Sequence, residues 1–415
     1  MTLPDNFVRE VLDRLRPANQ SVARRYPGDG GARQPIHTVY GGAHLFTVDT
    51  LAQLGERARR ALDRDAPDEE TFAAAMGLTP EVGEKVLPRV RAKLAREPVE
   101  DYRLDFEDGY GSRPDAEEDA HAVSAAAELA AAVRPPFVGI RIKAFTDELA
   151  ARSIRTLDRF VTTLVERAGA LPAGFTVTLS KITAPEQVAA LAAVLGALEE
   201  RLGLSSLTME LMVETPQCIF DLARLASASA GRCRGAHFGT YDYTAGCDVT
   251  AAHQRMRHPA CDFAKQVMKA TLAGTGVWLS DGSTIVLPTG DRAAVHAAWR
   301  LHADDVRDSL VAGFYQGWDL HPGQLPSRYA AVYGFFVEGL PAATARLQNY
   351  LAQTTKAEIA DEIATGQALL GFFLRGLSCG AITEEEARAT GLTVDEMRGR
   401  SFAAILRGRR AQLPR

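Results

Sequence analysis

Five cysteines in 415 residues (Cys218, Cys233, Cys247, Cys261 and Cys379) include no C-x-x-C pair. An odd number without matched spacing argues against both a disulfide framework and a cysteine-built zinc site, and leaves buried free thiols. Apolar runs are short: none approaches the roughly 18 residues that a membrane-spanning helix needs. The N-terminus has no apolar stretch of the secretory kind, because Asp5, Arg9, Glu10, Asp13, Arg14 and Arg16 break it up. A cytoplasmic protein without a membrane partner is the expectation. A basic excess is missing too, since 47 Lys and Arg face 52 Asp and Glu for a formal net charge of −5, so a nucleic-acid partner is not expected. There is no G-x-S-x-G elbow, no Walker loop and no G-x-G-x-x-G fingerprint, which removes the usual serine-hydrolase and nucleotide-binding readings. Gly28-Asp-Gly-Gly31 reads as a flexible approach to the first strand.

What the sequence does contain is alternation. Short β-rich runs at 35–46, 102–106, 137–142, 176–181, 208–213, 235–239, 276–279 and 317–320 are separated by Ala-rich helical stretches. That order belongs to an α/β fold with a parallel sheet, and eight strands is the number of a (β/α)₈ TIM barrel. Thr183-Ala-Pro-Glu186 resembles a capping box opening a helix that stops at Gly203. Thr215-Pro216 opens another helix, ending near Gly231, and Asp115–Val133 reads as a helix with acidic residues in its first turn. The interval from Thr47 to Asp101 exceeds an ordinary crossover and should hold two or three extra helices. Beyond Ser327 the strand pattern ends, and Ala357–Arg375 and Thr383–Arg407 look helical. The expected organisation is an N-terminal helical segment over 1–34, a TIM-barrel catalytic domain over 35–327 and a C-terminal helical appendage over 328–415.

Charged residues fall at or just after the predicted strand ends, the positions that line the active-site face of a TIM barrel. They are Asp105, Glu107 and Asp108 after the second strand, Arg141 on the third, Lys181 after the fourth, Glu214 after the fifth and Asp242 after the sixth. Adjacent strands end about 5 Å apart, so the carboxylates of Glu214 and Asp242 can meet on one ion. Two carboxylates plus water and substrate oxygens describe a Mg²⁺ site better than a zinc site. The plainer readings are helix-cap or salt-bridge acids for this pair, an ion pair with the Asp105–Asp108 cluster for Arg141, and a structural partner to an acid for Lys181. His44, near the end of the first strand, could face a substrate. His253 and His258 lack the spacing of a helical metal pair, and Asp281-Gly-Ser-Thr284 is read first as a turn.

These segments together resemble the citrate lyase β-subunit/HpcH–HpaI aldolase family of the phosphoenolpyruvate/pyruvate barrel superfamily. Val213-Glu-Thr-Pro216 and Phe238-Gly-Thr-Tyr-Asp242 are similar to its metal-binding strand ends. Leu104-Asp-Phe-Glu-Asp108 is similar to its D-L-E-D segment, Gly139-Ile-Arg-Ile142 to its arginine strand, Leu179-Ser-Lys181 to its L-P-K segment, and Trp318-Asp-Leu-His-Pro-Gly-Gln324 to its H-P-x-Q loop. The likeness runs in order from about residue 100 to 326. It implies a carbon–carbon lyase or aldolase in which Glu214 and Asp242 hold Mg²⁺, with Mn²⁺ as a substitute. Arg141 would bind the oxygens of a 2-oxo or 3-hydroxy acid, free or as a CoA thioester, with His44 and Lys181 as further substrate contacts. Glu107 or Asp108 would orient water or transfer a proton. The family also implies a homo-oligomer, a trimer or hexamer, to which the apolar stripe Leu369, Leu370, Phe372, Phe373 and Leu377 could contribute, or that stripe could serve a lid.

Two departures set limits on the resemblance. HpaI-type aldolases carry a histidine base where this chain has Asp108. Malate synthases share the barrel, and Ala357-Glu-Ile-Ala-Asp-Glu-Ile363 resembles their catalytic helix, yet either alignment puts Gln353 or Ala357 in place of its aspartate. Condensation of an acyl-CoA with glyoxylate is therefore the second reading. A non-catalytic binding barrel is the third, and the intact Glu214, Asp242 and Arg141 argue against it.

Overall fold

The computed structural model describes residues 2–354, 362–399 and 401–411. Helix α1 (Asp5–Arg25) is amphipathic but buries none of its residues. β1 (His37–Gly42) then starts a closed barrel, and three helices, α2 (Thr50–Asp65), α3 (Glu69–Met76) and α4 (Pro80–Arg96), fill the long interval before β2 (Asp101–Asp105). Regular alternation follows: α5 (Asp115–Ala131), β3 (Phe137–Ile142), α6 (Ala150–Ala168), β4 (Thr176–Leu179), α7 (Pro185–Leu202), β5 (Thr208–Val213), α8 (Pro216–Ala228) and β6 (Cys233–Phe238). Two helices, α9 (Thr240–Gly246) and α10 (Pro259–Leu272), precede β7 (Trp278–Ser283), and α11 (Arg292–Val311) leads to β8 (Gln316–Asp319). Each strand pairs in parallel with its chain neighbours, and β8 closes on β1 through Gly317 opposite His37. The TIM barrel expected from the strand count is the fold. No helix among the described residues is long and apolar enough to cross a membrane.

The local departures have local causes. α7 starts one residue later than the capping-box pattern implied. Gln187, not Glu186, accepts the N–H groups of Thr183 (2.8 Å) and Ala184 (3.2 Å), while Gly203 closes the helix in the left-handed region as expected. β7 runs on through Asp281–Ser283, where a turn was predicted, and Ser283 pairs with Trp318. The buried Asp281 is matched by Lys265 (3.2 Å) and Ser309 (2.6 Å). Gly282 lets the strand pass Thr240, whose Oγ1 would lie 2.1 Å from a Cβ there.

After β8 a single helix, α12 (Leu325–Thr354), crosses the boundary expected at 327 and packs against α4 and α11. Of the predicted helix over 357–375, the part from 362 is described as α13 (Glu362–Cys379), and residues 357–361 lie outside the described residues. The helix expected over 383–407 is three: α14 (Glu384–Arg388), α15 (Val394–Arg398) and α16 (Phe402–Ala411). Thr383 and Thr393 each cap a fresh start, accepting the N–H of Glu386 and of Glu396 (3.1 Å each). The stripe on α13 is covered within the chain: Leu370 and Phe373 are fully buried, and the Phe372 ring stands 5.1 Å from that of Phe336.

The barrel lumen is polar, which bears on the site above it. Arg103 is 1% exposed and crosses from β2 to Glu210 on β5 with two bonds of 2.7 and 3.1 Å, while also binding Asp101. Tyr40 Oη meets His237 Nδ1 at 3.3 Å, and His237 Nε2 stands 3.4 Å from Glu210. Thr38 donates to Asp101 at 2.9 Å and accepts from Gln316 at 3.0 Å. Branched apolar side chains usually fill this space; here buried charge and hydrogen bonds do.

Candidate active site

The C-terminal ends of β2 to β6 deliver seven charged side chains to one place. Asp105, the last residue of β2, shapes the loop that follows it. Its two oxygens accept the N–H of Glu107 (2.9 Å) and of Gly109 (2.8 Å). The same oxygens receive the Arg141 fork from β3, Nε at 2.7 Å and Nη2 at 2.5 Å. This leaves Arg141 Nη1 facing Asp108 (3.3 Å) and Glu107 (3.4 Å). The guanidinium also lies over the rings of Tyr40 (5.1 Å) and Trp318 (5.9 Å), an aromatic floor between it and the polar lumen.

Lys181, two residues past β4, has φ +48°, which side-chain-bearing residues seldom adopt. In this conformation its N–H donates to Glu214 at 2.6 Å. Its ammonium reaches Glu107 (2.8 Å), Asp108 (3.0 Å) and Asp242 (3.4 Å). Backbone strain of this kind persists where the surroundings enforce it, and functional sites are where it concentrates. Glu214 follows β5, is almost fully buried, and fits against Gly239. A Cβ at 239 would stand 2.5 Å from the Glu214 Cβ and 2.8 Å from its Oε2. Asp242, in the first turn of α9, is half exposed at the rim.

Five carboxylates thus meet two cations, and the charges do not balance. Burial pushes the Glu214 carboxyl up to about 8 against the pull of Arg141 and Lys181, and Asp242 adds to the rise. Burial and the hydrogen bond shared with Asp108 also raise Glu107. Burial opposes ionisation of Asp108 as well, but Glu107, Arg141 and Lys181 outweigh it and hold its carboxyl low. Both cations are penalised by burial, yet Asp105 keeps Arg141 charged and Glu214 and Glu107 keep Lys181 charged. A divalent cation would correct the excess of negative charge. The donors here are carboxylate oxygens without sulfur or imidazole, the chemistry of Mg²⁺ or Mn²⁺. Among the described residues no three His, Cys, Asp or Glu side chains stand together as a preformed metal cage. A fit is therefore one with few protein ligands, as Mg²⁺ commonly takes.

The structure brings together Glu107, Asp108, Arg141, Lys181, Glu214 and Asp242. His44 belongs to another group: its ring packs edge-on against Tyr110 (5.3 Å) and beside His121 (6.0 Å). His258 caps α10 and His321 caps the turn after β8. His37 Nδ1 stands 2.9 Å from Asp319 inside the barrel wall. Ala357 lies outside the described residues, and Gln353 falls in the last turn of α12. Sequence reading missed Tyr40 and Trp318 under Arg141 and the whole Arg103 layer. The alternation Asp101-x-Arg103-x-Asp105 was the available signal, since one face of β2 is charged throughout.

Among curated proteins none matches this sequence. In fold the chain is similar to a citrate lyase from Burkholderia xenovorans LB400, with a TM-score of 0.57 and 20% identity over 86% of this chain and 97% of that one. A malate synthase from Haloferax volcanii, in a lead(II) complex, gives 0.48 and 13% over 92% and 99%. The protein CitE from Mycobacterium tuberculosis, in complex with magnesium and acetoacetate, gives 0.43 and 17% over 73% and 91%. At such identities the first of these likenesses establishes the barrel fold, the one expected from the ordered motifs. In sequence, residues 15–405 match a family described as a domain of unknown function, DUF6986, and the chain belongs to that family.

Proposed function

We propose that this protein is a divalent-metal-dependent carbon–carbon lyase acting on a small 2-oxo or 3-hydroxy acid, free or as its CoA thioester. The observation that carries the reading is the knot at Lys181. One residue with an unfavourable backbone angle fixes Glu214 through its N–H and gathers Glu107, Asp108 and Asp242 through its ammonium. Glu214 and Asp242 would hold Mg²⁺, or Mn²⁺ in its place. Bound there, the ion supplies Lewis-acid polarisation of the substrate's oxo group, a contribution of several kcal/mol in general.

The chain's own residues do the rest. Arg141 is held rigid by Asp105, and its Nη1 edge, turned toward Glu107 and Asp108 at the mouth, would present a fixed positive charge to substrate oxygens and stabilise the negative charge that develops on cleavage. In the cleavage direction a hydroxyl proton must leave as the carbon–carbon bond breaks. Glu107, whose carboxyl burial and Asp108 raise above its ordinary range, would accept it. Lys181 orients Glu107 and stays charged, so it is not itself the base. Incubation of pyruvate or oxaloacetate in D₂O should show Mg²⁺-dependent exchange of the protons next to the oxo group, lost in Arg141→Ala and Asp242→Ala. Rapid malate formation from acetyl-CoA and glyoxylate, with no such exchange, would refute the lyase reading in favour of a synthase.

A further inference from the structure

A cavity of about 580 Å³ lies at the end of the barrel away from this site. Its lining includes Ile36, Trp278 and Tyr315, which stand at the N-terminal ends of β1, β7 and β8. The strands are parallel, whereas Glu214 and Asp242 follow the C-terminal ends of β5 and β6. α12 contributes Val332 and Phe336 to its wall, and α13 contributes Leu374 and Arg375. The size is that of a small-molecule site, and mostly apolar walls with a few fixed polar groups are its usual composition.

The cation of this lining is Arg375. The Arg375 guanidinium lies over the Tyr315 ring at 4.0 Å and donates to Gln34 Oε1 at 3.3 Å. Lys269 lines an adjoining space of about 200 Å³ that shares Tyr315, Trp278 and Arg375 with the first. Its ammonium bonds the Gly313 carbonyl, and burial together with the Arg375 charge lowers it to about 8. Among the described residues no carboxylate pairs with Arg375 or Lys269. Asp29, the one acid among the described lining residues, is exposed, and its Oδ1 accepts the Gly31 N–H at 3.1 Å. Two half-buried cations with no matching carboxylate among the described residues favour an anion beside them.

We infer that this cavity is a second ligand site, for an amphiphilic monocarboxylate whose head meets Arg375 and whose apolar body lies between Trp278, Phe336 and Leu374. It is independent of the chemistry proposed at the barrel mouth. Gly371 supplies a clean test, because it lines the cavity and a Cβ built on it meets no atom within 4 Å. Gly371→Leu should therefore fill the space without disturbing α13, where losing a glycine favours the helix.

Calorimetric titration of the full chain should show octanoate binding more tightly than octan-1-ol or acetate. Arg375→Gln should weaken octanoate by about tenfold, the loss of one charge-assisted contact, and leave octan-1-ol unchanged. Gly371→Leu should abolish binding of both while the melting temperature holds or rises. Octanoate that fails to bind the wild-type chain, or that binds Gly371→Leu or Arg375→Gln as tightly as wild type, overturns the inference. If Gly371→Leu unfolds, the Arg375→Gln comparison alone decides it.

Discussion

Changing Glu214 to Gln should make the metal-free protein more stable in alkali and insensitive to metal. The carboxyl titrates near 8 in the folded protein against an ordinary 4.5. Below about pH 4.5 it is protonated in both states and contributes nothing to the pH dependence. Between the two values only the folded state keeps the proton, so folding stability falls as pH rises and the full penalty is present above pH 8. At 1.36 kcal/mol per pH unit the ceiling is about 5 kcal/mol. Glutamine keeps the size, and its carbonyl still accepts the Lys181 N–H, but it carries no charge to bury. With an unfolding entropy of roughly 2.1 cal/mol/K per residue, a chain this long shifts by about 1 °C per kcal/mol. The variant should thus melt up to about 5 °C above wild type at pH 9 in EDTA, and together with it at pH 4.5. Adding Mg²⁺ at a hundredfold excess over its Kd should return about 2.7 kcal/mol to the wild type and none to the variant. Parallel melting curves for the two proteins from pH 4.5 to 9, or an equal gain from Mg²⁺, would refute both the buried-charge argument and the metal assignment.

Other substitutions probe the neighbouring links. Asp242→Ala should leave the melting temperature nearly unchanged at this half-exposed position, yet abolish Mg²⁺-dependent turnover in a steady-state assay. Lys181→Gly should relieve a left-handed backbone penalty of about 1 kcal/mol, whereas Lys181→Met retains it; both should lose activity, and urea midpoints should rank the glycine variant as the more stable. Gly239→Ala drives a methyl into the Glu214 carboxyl and should weaken Mg²⁺ binding by calorimetry about tenfold, within the usual 1–3 kcal/mol of overpacking. Arg103→Met leaves Asp101 and Glu210 buried without their cation and should cost about 3–5 kcal/mol in denaturant unfolding.

The sequence made the fold readable because its strands are short, β-rich and separated by capped helices, in the alternation that a parallel barrel requires. The placement of Glu107, Asp108, Arg141, Lys181, Glu214 and Asp242 at strand ends was also readable, since a parallel barrel puts all such ends on one face. What could not be read was direction. His44 follows β1 as Lys181 follows β4, yet one ring turns onto Tyr110 while the other side chain turns across the mouth, and only the φ of +48° accounts for the latter. Nor could the extent of β7 be read, since Asp281 and Gly282 are turn formers that become strand once Lys265 and Thr240 are in place.

The charged lumen has a consequence for how the chain reaches its fold. Arg103 and Asp101 come from β2, while Glu210 and His237 come from β5 and β6, so the bonds of that layer span the first and second halves of the barrel. A barrel filled with apolar side chains can gain burial stave by stave, each added strand covering a little more of its neighbour. Here the first half alone would hold a guanidinium short of one counter-ion, and the second half a carboxylate with no guanidinium at all. Closure is then rewarded only when both halves meet, which makes assembly of the barrel a cooperative event and partly closed intermediates poor in energy. The same layer that underlies Arg141 through Tyr40 thereby acts as a register check, because a strand slipped by one residue would turn its charges outward into the apolar shell.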